Sequence, residues 1–248
     1  MPDSSTPDPA APRFRERPVS FVRRSGRVSE AQERAWRELA PRYVVDAPRD
    51  AAATSIRPGS AVDPAAVWGR TAPLVVEIGS GQGHAIVHAA GARPDVDFLA
   101  IEVFRAGLAR TMLDADRAGV DNLRLVEANA PEVLAHLLQP ASVSELWIFF
   151  PDPWHKTKHT KRRLVTADFA RTAADAVREG GMLRLATDWE EYARQMRDVL
   201  DADPGFVRDF EGEWAPRFDG RVLTSFERKG TRAGRDIRDL AYRRAGAA

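Results

Sequence analysis

From Pro73 onward, short apolar runs alternate with longer stretches of helical periodicity. Leu74-Val75-Val76-Glu77-Ile78 is short and apolar enough for a buried strand, and a helical stretch follows to about Ala90. Residues 98–102 predict a second strand and 104–118 a helix. Residues 123–127 predict a third strand, then a helix over 131–138 with Pro131 suited to its first turn. Residues 145–150 predict a fourth strand, 166–178 a helix, 182–186 a fifth strand and 189–200 a helix. Two last strand-like runs, 205–210 and 222–227, have a loop but no helix between them and are expected to pair as a hairpin. Strands alternating with helices argue for βαβ units and a parallel sheet, here with an antiparallel edge.

The chain before Pro73 is less regular. Residues 1–12 hold Pro2, Pro7, Pro9 and Pro12 among small polar residues, a composition expected to stay disordered. Residues 30–39 predict a short helix with Ser29 as N-cap, and 47–63 read as a loop or linker. The expected division is a basic, partly disordered tail over 1–60 and one α/β domain over 61–248. With no cysteine in the chain, disulfides, zinc–thiolate sites and thiol nucleophiles are excluded. No apolar run reaches the ~20 residues of a spanning helix, and the N-terminus lacks a signal-peptide-like apolar stretch, so a cytoplasmic location is expected.

Net charge is only +1, but the cations cluster over 13–37, 156–163 and 228–244. Local basic patches on a near-neutral protein can still grip phosphates.

Glu77-x-Gly79-x-Gly81-x-Gly83 follows the first strand and opens a helix. A dinucleotide fingerprint places its third glycine three residues after the second; here His84 holds that position. An acid at Glu77 suits the ammonium of a methionine moiety better than an anionic pyrophosphate. Glu102, at the tip of the second strand, sits where such folds place the acid that accepts from a ribose diol. In one βαβ unit, these residues favour S-adenosylmethionine over NAD. Asn129, just past the third strand, falls at the adenine edge or is a simple turn residue.

The fourth strand exits through Phe149-Phe150-Pro151-Asp152-Pro153-Trp154, and strand ends of this kind carry ligands in open α/β sheets. Asp152 is held between prolines beside the expected cofactor, or makes an Asx-type turn. The next residues, 155–163, contain no acid. The chain has four lysines, and three of them, Lys156, Lys158 and Lys161, lie in this loop with Arg162 and Arg163. Such a concentration implies a polyanionic substrate. His155 and His159, like His84 and His88, have zinc-compatible spacing but lack a third ligand, so no metal is expected.

Asp188, with Glu191 three residues on, fits a capping box, and its place at a strand end also fits a substrate contact. Thr224, Ser225, Phe226 and Glu227 alone read as a decorated edge strand. A carboxylate there is a natural acceptor for the N1 and N2 donors of guanine.

These motifs resemble the bacterial tRNA (guanine-N7)-methyltransferase family. The resemblance runs through the glycine loop with Glu77, Ile101-Glu102-Val103 and Phe150-Pro151-Asp152-Pro153-Trp154-His155-Lys156. It continues through Lys161-Arg162-Arg163-Leu164, Thr187-Asp188-Trp189-Glu190 and Thr224-x-Phe226-Glu227, covering roughly residues 74–242. It implies a Rossmann-like class I S-adenosylmethionine-dependent methyltransferase with a mainly parallel seven-stranded sheet and an antiparallel edge strand. It also implies that Glu77, Gly79, Gly81, Gly83, Glu102, Asn129 and Asp152 hold S-adenosylmethionine, with Asp152 catalytic. Lys156, Asp188 and residues 224–227 would bind the substrate base, and Lys158, Lys161, Arg162 and Arg163 the RNA. The expected partner is tRNA and the expected product 7-methylguanosine in its variable loop; monomer and homodimer both fit. Where the family's late motif usually runs Gly-His, this chain has Gly234-Arg235. Methylation of another RNA, or RNA binding without catalysis on the same fold, are the alternatives.

Overall fold

The computed structural model describes residues 19–21, 29–50 and 52–246, without the side chains of Ser225 and Phe226. The expected disorder of residues 1–12 and most of the first basic cluster lie outside the described residues.

The elements run α1 (Glu30–Glu38), α2 (Ala40–Tyr43), α3 (Pro64–Trp68), β1 (Leu74–Ile78), α4 (His84–Ala92), β2 (Asp97–Glu102) and α5 (Arg105–Arg117). They continue through β3 (Leu123–Glu127), α6 (Ala130–Glu132) with a π-turn over Val133–Leu137, and β4 (Val143–Phe149). A 3-10 turn over Thr157–Arg162 precedes α7 (Ala167–Ala176), β5 (Val177–Thr187) and α8 (Glu190–Asp201). β6 (Phe206–Arg208), α9 (Ser225–Arg232) and β7 (Arg238–Arg244) close the chain. One seven-stranded sheet has the order β3-β2-β1-β4-β5-β7-β6. β1 to β5 pair in parallel, and β7 runs antiparallel to both β5 and β6.

Every residue of β1 is buried, as expected for a central strand covered on both faces. Leu74, Val76 and Ile78 enter the core under α7 and α8; Val75 enters the core under α4 and α5. The sheet order reverses between β1 and β4, so the crevice for a ligand opens outside the carboxyl ends of these two strands.

Two expectations from the sequence are corrected. Residues 222–227 are not a strand. Thr224 caps α9, its side chain accepting from the Glu227 amide at 3.1 Å. The seventh strand is Arg238–Arg244 instead, and it lies between β5 and β6, so no simple hairpin forms. Thr-x-x-Glu is itself a helix-start pattern, and it outweighed the β-forming Val222 and Leu223. Asp188 does not cap α8 either: Trp189 holds the N-cap position without a side-chain cap.

The described residues between 29 and 60 are built into this unit. Ser29 and Gln32 form a reciprocal capping box on α1. Trp36 donates to the Arg105 carbonyl at 3.2 Å while the Arg105 guanidinium lies 3.6 Å over its ring. Tyr43 is fully buried and its hydroxyl donates to the Val120 carbonyl. Val44 bridges to Leu125, which covers the otherwise open edge at β3. Ile56 is buried and the Thr54 carbonyl accepts from the Asn129 amide at 2.7 Å.

Between β1 and α4 the chain turns through three left-handed glycines, with φ of 72°, 59° and 78° at Gly79, Gly81 and Gly83. At Gly83 a Cβ would also stand 2.4 Å from the Thr111 side chain. Gly83→Ala is therefore expected to cost about 2 kcal/mol from the backbone alone, read as a lowered urea midpoint.

Candidate active site

The carboxyl ends of β1, β2, β3 and β4 surround a cavity. Gly79, Gly81, Glu102, Asn129 and Asp152 line it, so these five expected residues come together. Glu77 lies beneath, 4% exposed, and its Oε2 has no hydrogen-bond partner. Burial, and then the nearby charge of Glu102, pushes its carboxyl up to about 8. A buried acceptor without a donor is costly. An ammonium group above the glycine loop would satisfy it, so the donor set fits the methionine end of S-adenosylmethionine.

Glu102 also organises the loop. One of its oxygens accepts from the Gly81 amide at 2.8 Å, and the other from the Val103 and Phe104 amides at 2.6 and 2.9 Å. The glycine loop and the start of α5 are thus tied to one carboxylate. The Asn129 amide nitrogen donates to Glu132 at 2.7 Å, fixing its orientation at the cavity wall.

Asp152 is exposed at the mouth, between two strained positions: Phe150 and Trp154 have φ of 54° and 46°. Non-glycine residues held there signal a loop fixed by its surroundings. The Phe150 amide donates to the Ala186 carbonyl at 2.7 Å, and the Trp154 indole donates to the Ser20 carbonyl at 3.1 Å. Ser20 and Phe21 themselves line the cavity. Nothing in the sequence pattern singled them out, because their role comes from a contact with residues far along the chain.

The basic loop divides. Lys156, Lys158 and Lys161 are exposed. Arg162 is half-buried, its guanidinium 4.4 Å over Trp154. Arg163 corrects the expectation of an RNA contact: it is 4% exposed and turned inward. It donates to the Pro153 carbonyl at 2.8 Å, to Gln195 at 2.6 Å and to Glu191 at 3.1 Å. Its charge therefore fixes the loop to α8 rather than facing solvent. Burial and the charges of Lys158, Arg162, Lys156 and Lys161 hold His159 below its ordinary range.

Past β5, the Asp188 carboxylate accepts from Arg235 at 2.8 Å. Glu227 is 4% exposed and accepts from Arg217 at 2.9 and 3.3 Å and from Arg221 at 3.4 Å. Burial alone would raise its carboxyl, but the hydrogen bonds and charges of Arg217 and Arg221 hold it below the usual range. Arg221, 1% exposed, also pairs with Asp239 at 2.5 and 3.1 Å. Its guanidinium lies 5.4 and 5.6 Å from the Phe149 and Phe150 rings, which bound the cavity. Arg217, Arg221 and Arg235 were not legible as site residues; only the Arg-for-His departure at 235 marked one of them.

A pH dependence follows from Glu77. Its folded carboxyl titrates at about 8 against an ordinary 4.5, so between these values the native state holds a proton that the unfolded chain has lost. The stability it contributes is full below the lower value and is lost as pH rises through the upper one. Urea unfolding from about pH 5 to about pH 9 should show a declining midpoint that Glu77→Gln flattens.

A family model described as "Putative methyltransferase" matches residues 71–240. The tRNA (guanine-N(7)-)-methyltransferase of Paenarthrobacter aurescens is 46% identical, over 92% of this chain and 92% of its own. That of a Nocardioides strain is 50% identical over 93% of this chain and 88% of its own. This coverage takes the similarity into the first sixty residues, which the motifs did not reach. The solved 16S rRNA methyltransferase KamB shares the fold, with a TM-score of 0.53 at 16% identity over 72% of this chain and 91% of that one. By sequence and fold together, the chain belongs to the tRNA (guanine-N(7)-)-methyltransferase family.

Proposed function

We propose that this chain transfers a methyl group from S-adenosylmethionine to N7 of a guanine in the variable loop of tRNA. The observation that carries the reading is one juxtaposition. Glu77, buried with its Oε2 unpartnered, immediately precedes the cavity-lining Ile78 and Gly79, and a row of exposed lysines follows the cavity-lining Asp152. The first suits a cationic small molecule and the second a polyanion.

When bound, S-adenosylmethionine supplies an already electrophilic sulfonium methyl. Guanine N7 carries an in-plane lone pair and no proton, so the protein has no base to provide before attack. Its work is alignment and exclusion of water. Glu77 holds the ammonium, Glu102 the ribose hydroxyls and Asn129 the adenine edge. Asp152 orients the reacting groups and stabilises the positive charge that grows on the imidazole ring of guanine. Asp188 and the Thr224 to Glu227 segment bound the base, and Lys156, Lys158 and Lys161 hold phosphates. Arg163 has no part in this reading beyond fixing the loop. Among the described residues no cluster of side chains could hold a metal ion, and no helix is long and apolar enough to cross a membrane.

Labelled S-adenosylmethionine with unmodified tRNA, followed by nucleoside analysis, tests the reaction; 7-methylguanosine is the expected product, and another methylated nucleoside would redirect the reading. Asp152→Ala should keep tRNA binding and lose on the order of 100-fold in turnover; wild-type turnover would remove Asp152 from the mechanism. Replacing Lys158 and Lys161 with alanine should weaken tRNA binding and flatten its log–log salt slope by about 1–2. An unchanged slope would mean that the loop does not touch the backbone.

A further inference from the structure

We propose that Arg235 is a positioning residue for base recognition, acting through Asp188; the proposal rests on the guanine-N7 reading above. Two acids were expected at the base, Asp188 and Glu227, and their surroundings differ. Both Glu227 oxygens are already engaged by arginine: Oε1 accepts from Arg217 and Arg221, and Oε2 from Arg217. Asp188 has its Oδ2 engaged by the Arg235 Nε at 2.8 Å, while Oδ1 accepts no hydrogen bond among the described residues. Its side chain is 21% exposed, so the remaining oxygen is within reach of a ligand.

The carboxylate is also held in place sterically. Asp188 lies directly against Gly230 of α9, where any Cβ would stand 2.9 Å from Oδ2 and 3.0 Å from the aspartate Cβ. The rigid planar guanidinium of Arg235 therefore holds Oδ2, and the bare backbone of Gly230 packs against the same oxygen and the aspartate Cβ. What is left is a single acceptor oxygen, Oδ1, one residue past the strand that carries the Phe150 anchor at Ala186. Guanine presents N1–H and N2–H donors, and adenine has no N1–H, so an oriented carboxylate oxygen selects for guanine. Glu227, with both oxygens committed, holds the start of α9 so that Gly230 and Arg235 arrive at Asp188.

Arg235 and Asp188 are partly exposed, at 42% and 21%, so their pair adds little to stability and its loss should not unfold the protein. The test is a double-mutant cycle of Arg235→Ala and Asp188→Ala, with methylation of unmodified tRNA measured alongside thermal unfolding and S-adenosylmethionine binding. Arg235→Ala should lower kcat/KM for tRNA on the order of tenfold, with unfolding and S-adenosylmethionine binding unchanged. The same substitution should have no further effect once Asp188 is alanine. Arg235→Lys, which keeps the charge but loses the planar fork, should recover only part of the loss. Additive effects together with a shallower salt slope for Arg235→Ala would mean that Arg235 touches a phosphate, and would overturn the proposal. An unchanged kcat/KM would overturn it too. A wild-type protein that binds S-adenosylmethionine but forms no 7-methylguanosine on tRNA would instead overturn the functional reading, and this inference with it.

Discussion

A single buried cation holds the carboxyl side of the sheet together. Arg221 is fully enclosed, yet it meets Asp239 at the start of β7, Glu227 in the first turn of α9 and the aromatic rings at the exit of β4. A guanidinium removed from water is costly unless its charge is matched. Here two carboxylates meet its two terminal nitrogens, with Arg217 balancing the second from the surface, while its buried Nε has no partner among the described residues. The arrangement couples pieces of chain that the parallel sheet alone would leave independent. The late segment from 217 to 239 is drawn against Phe149 and Phe150, which line the cavity, and packs them from behind. Asp152, two residues on from Phe150, inherits that rigidity.

The same edge of the sheet holds three acids in three electrostatic states. Glu77 is buried without a cation and is held neutral up to about 8. Glu227 is as deeply buried but has two arginines, and its carboxyl is held below the usual range. Asp188 is partly exposed with one arginine on one oxygen. Burial alone would treat the first two alike; the partners separate them. An acid kept neutral by the lack of a partner is ready for a cationic ligand. An acid already saturated is a structural tie. An acid with one oxygen taken and the other open can read a hydrogen-bond donor.

Most of the framework was legible because it depends on local pattern. The five parallel strands, their helices and the glycine loop followed from apolar runs and glycine spacing, and Glu77, Glu102, Asn129 and Asp152 fall on one edge because parallel strands end together. The failures come from contacts that are not local. Residues 222–227 look like a strand in composition, yet Thr224 caps a helix whose acid is claimed by arginines at 217 and 221. β7 was hidden because Arg238, Arg243 and Arg244 flank its buried Leu240, Ala241 and Tyr242. Arg163 looked like the end of a solvated basic run, and only the fold brings Glu191 and Gln195 to it. Residues 47–63 looked like a loop or linker because their buried hydrophobic contributions, Ala47 and Ile56, are too sparse to show a period.

The split between arginine and lysine in this chain follows from the same physics. The ion pairs that tie the fold together are made by arginine: Arg70 with Asp97, Arg163 with Glu191, Arg221 with Asp239 and Arg238 with Glu190. A planar fork suits a partner that stays in one place, and it is less strongly hydrated than an ammonium, so it can be buried at lower cost. Lysine offers a mobile point charge on a flexible stem, which suits a phosphate backbone that arrives and leaves. Three of the four lysines stand exposed in the loop after Asp152, where a fixed partner would defeat the purpose. Among the described residues many arginines are thus paired with acids, and over the whole chain basic and acidic residues nearly cancel, to a net charge of +1. The lysines of the loop after Asp152 make none of these pairs.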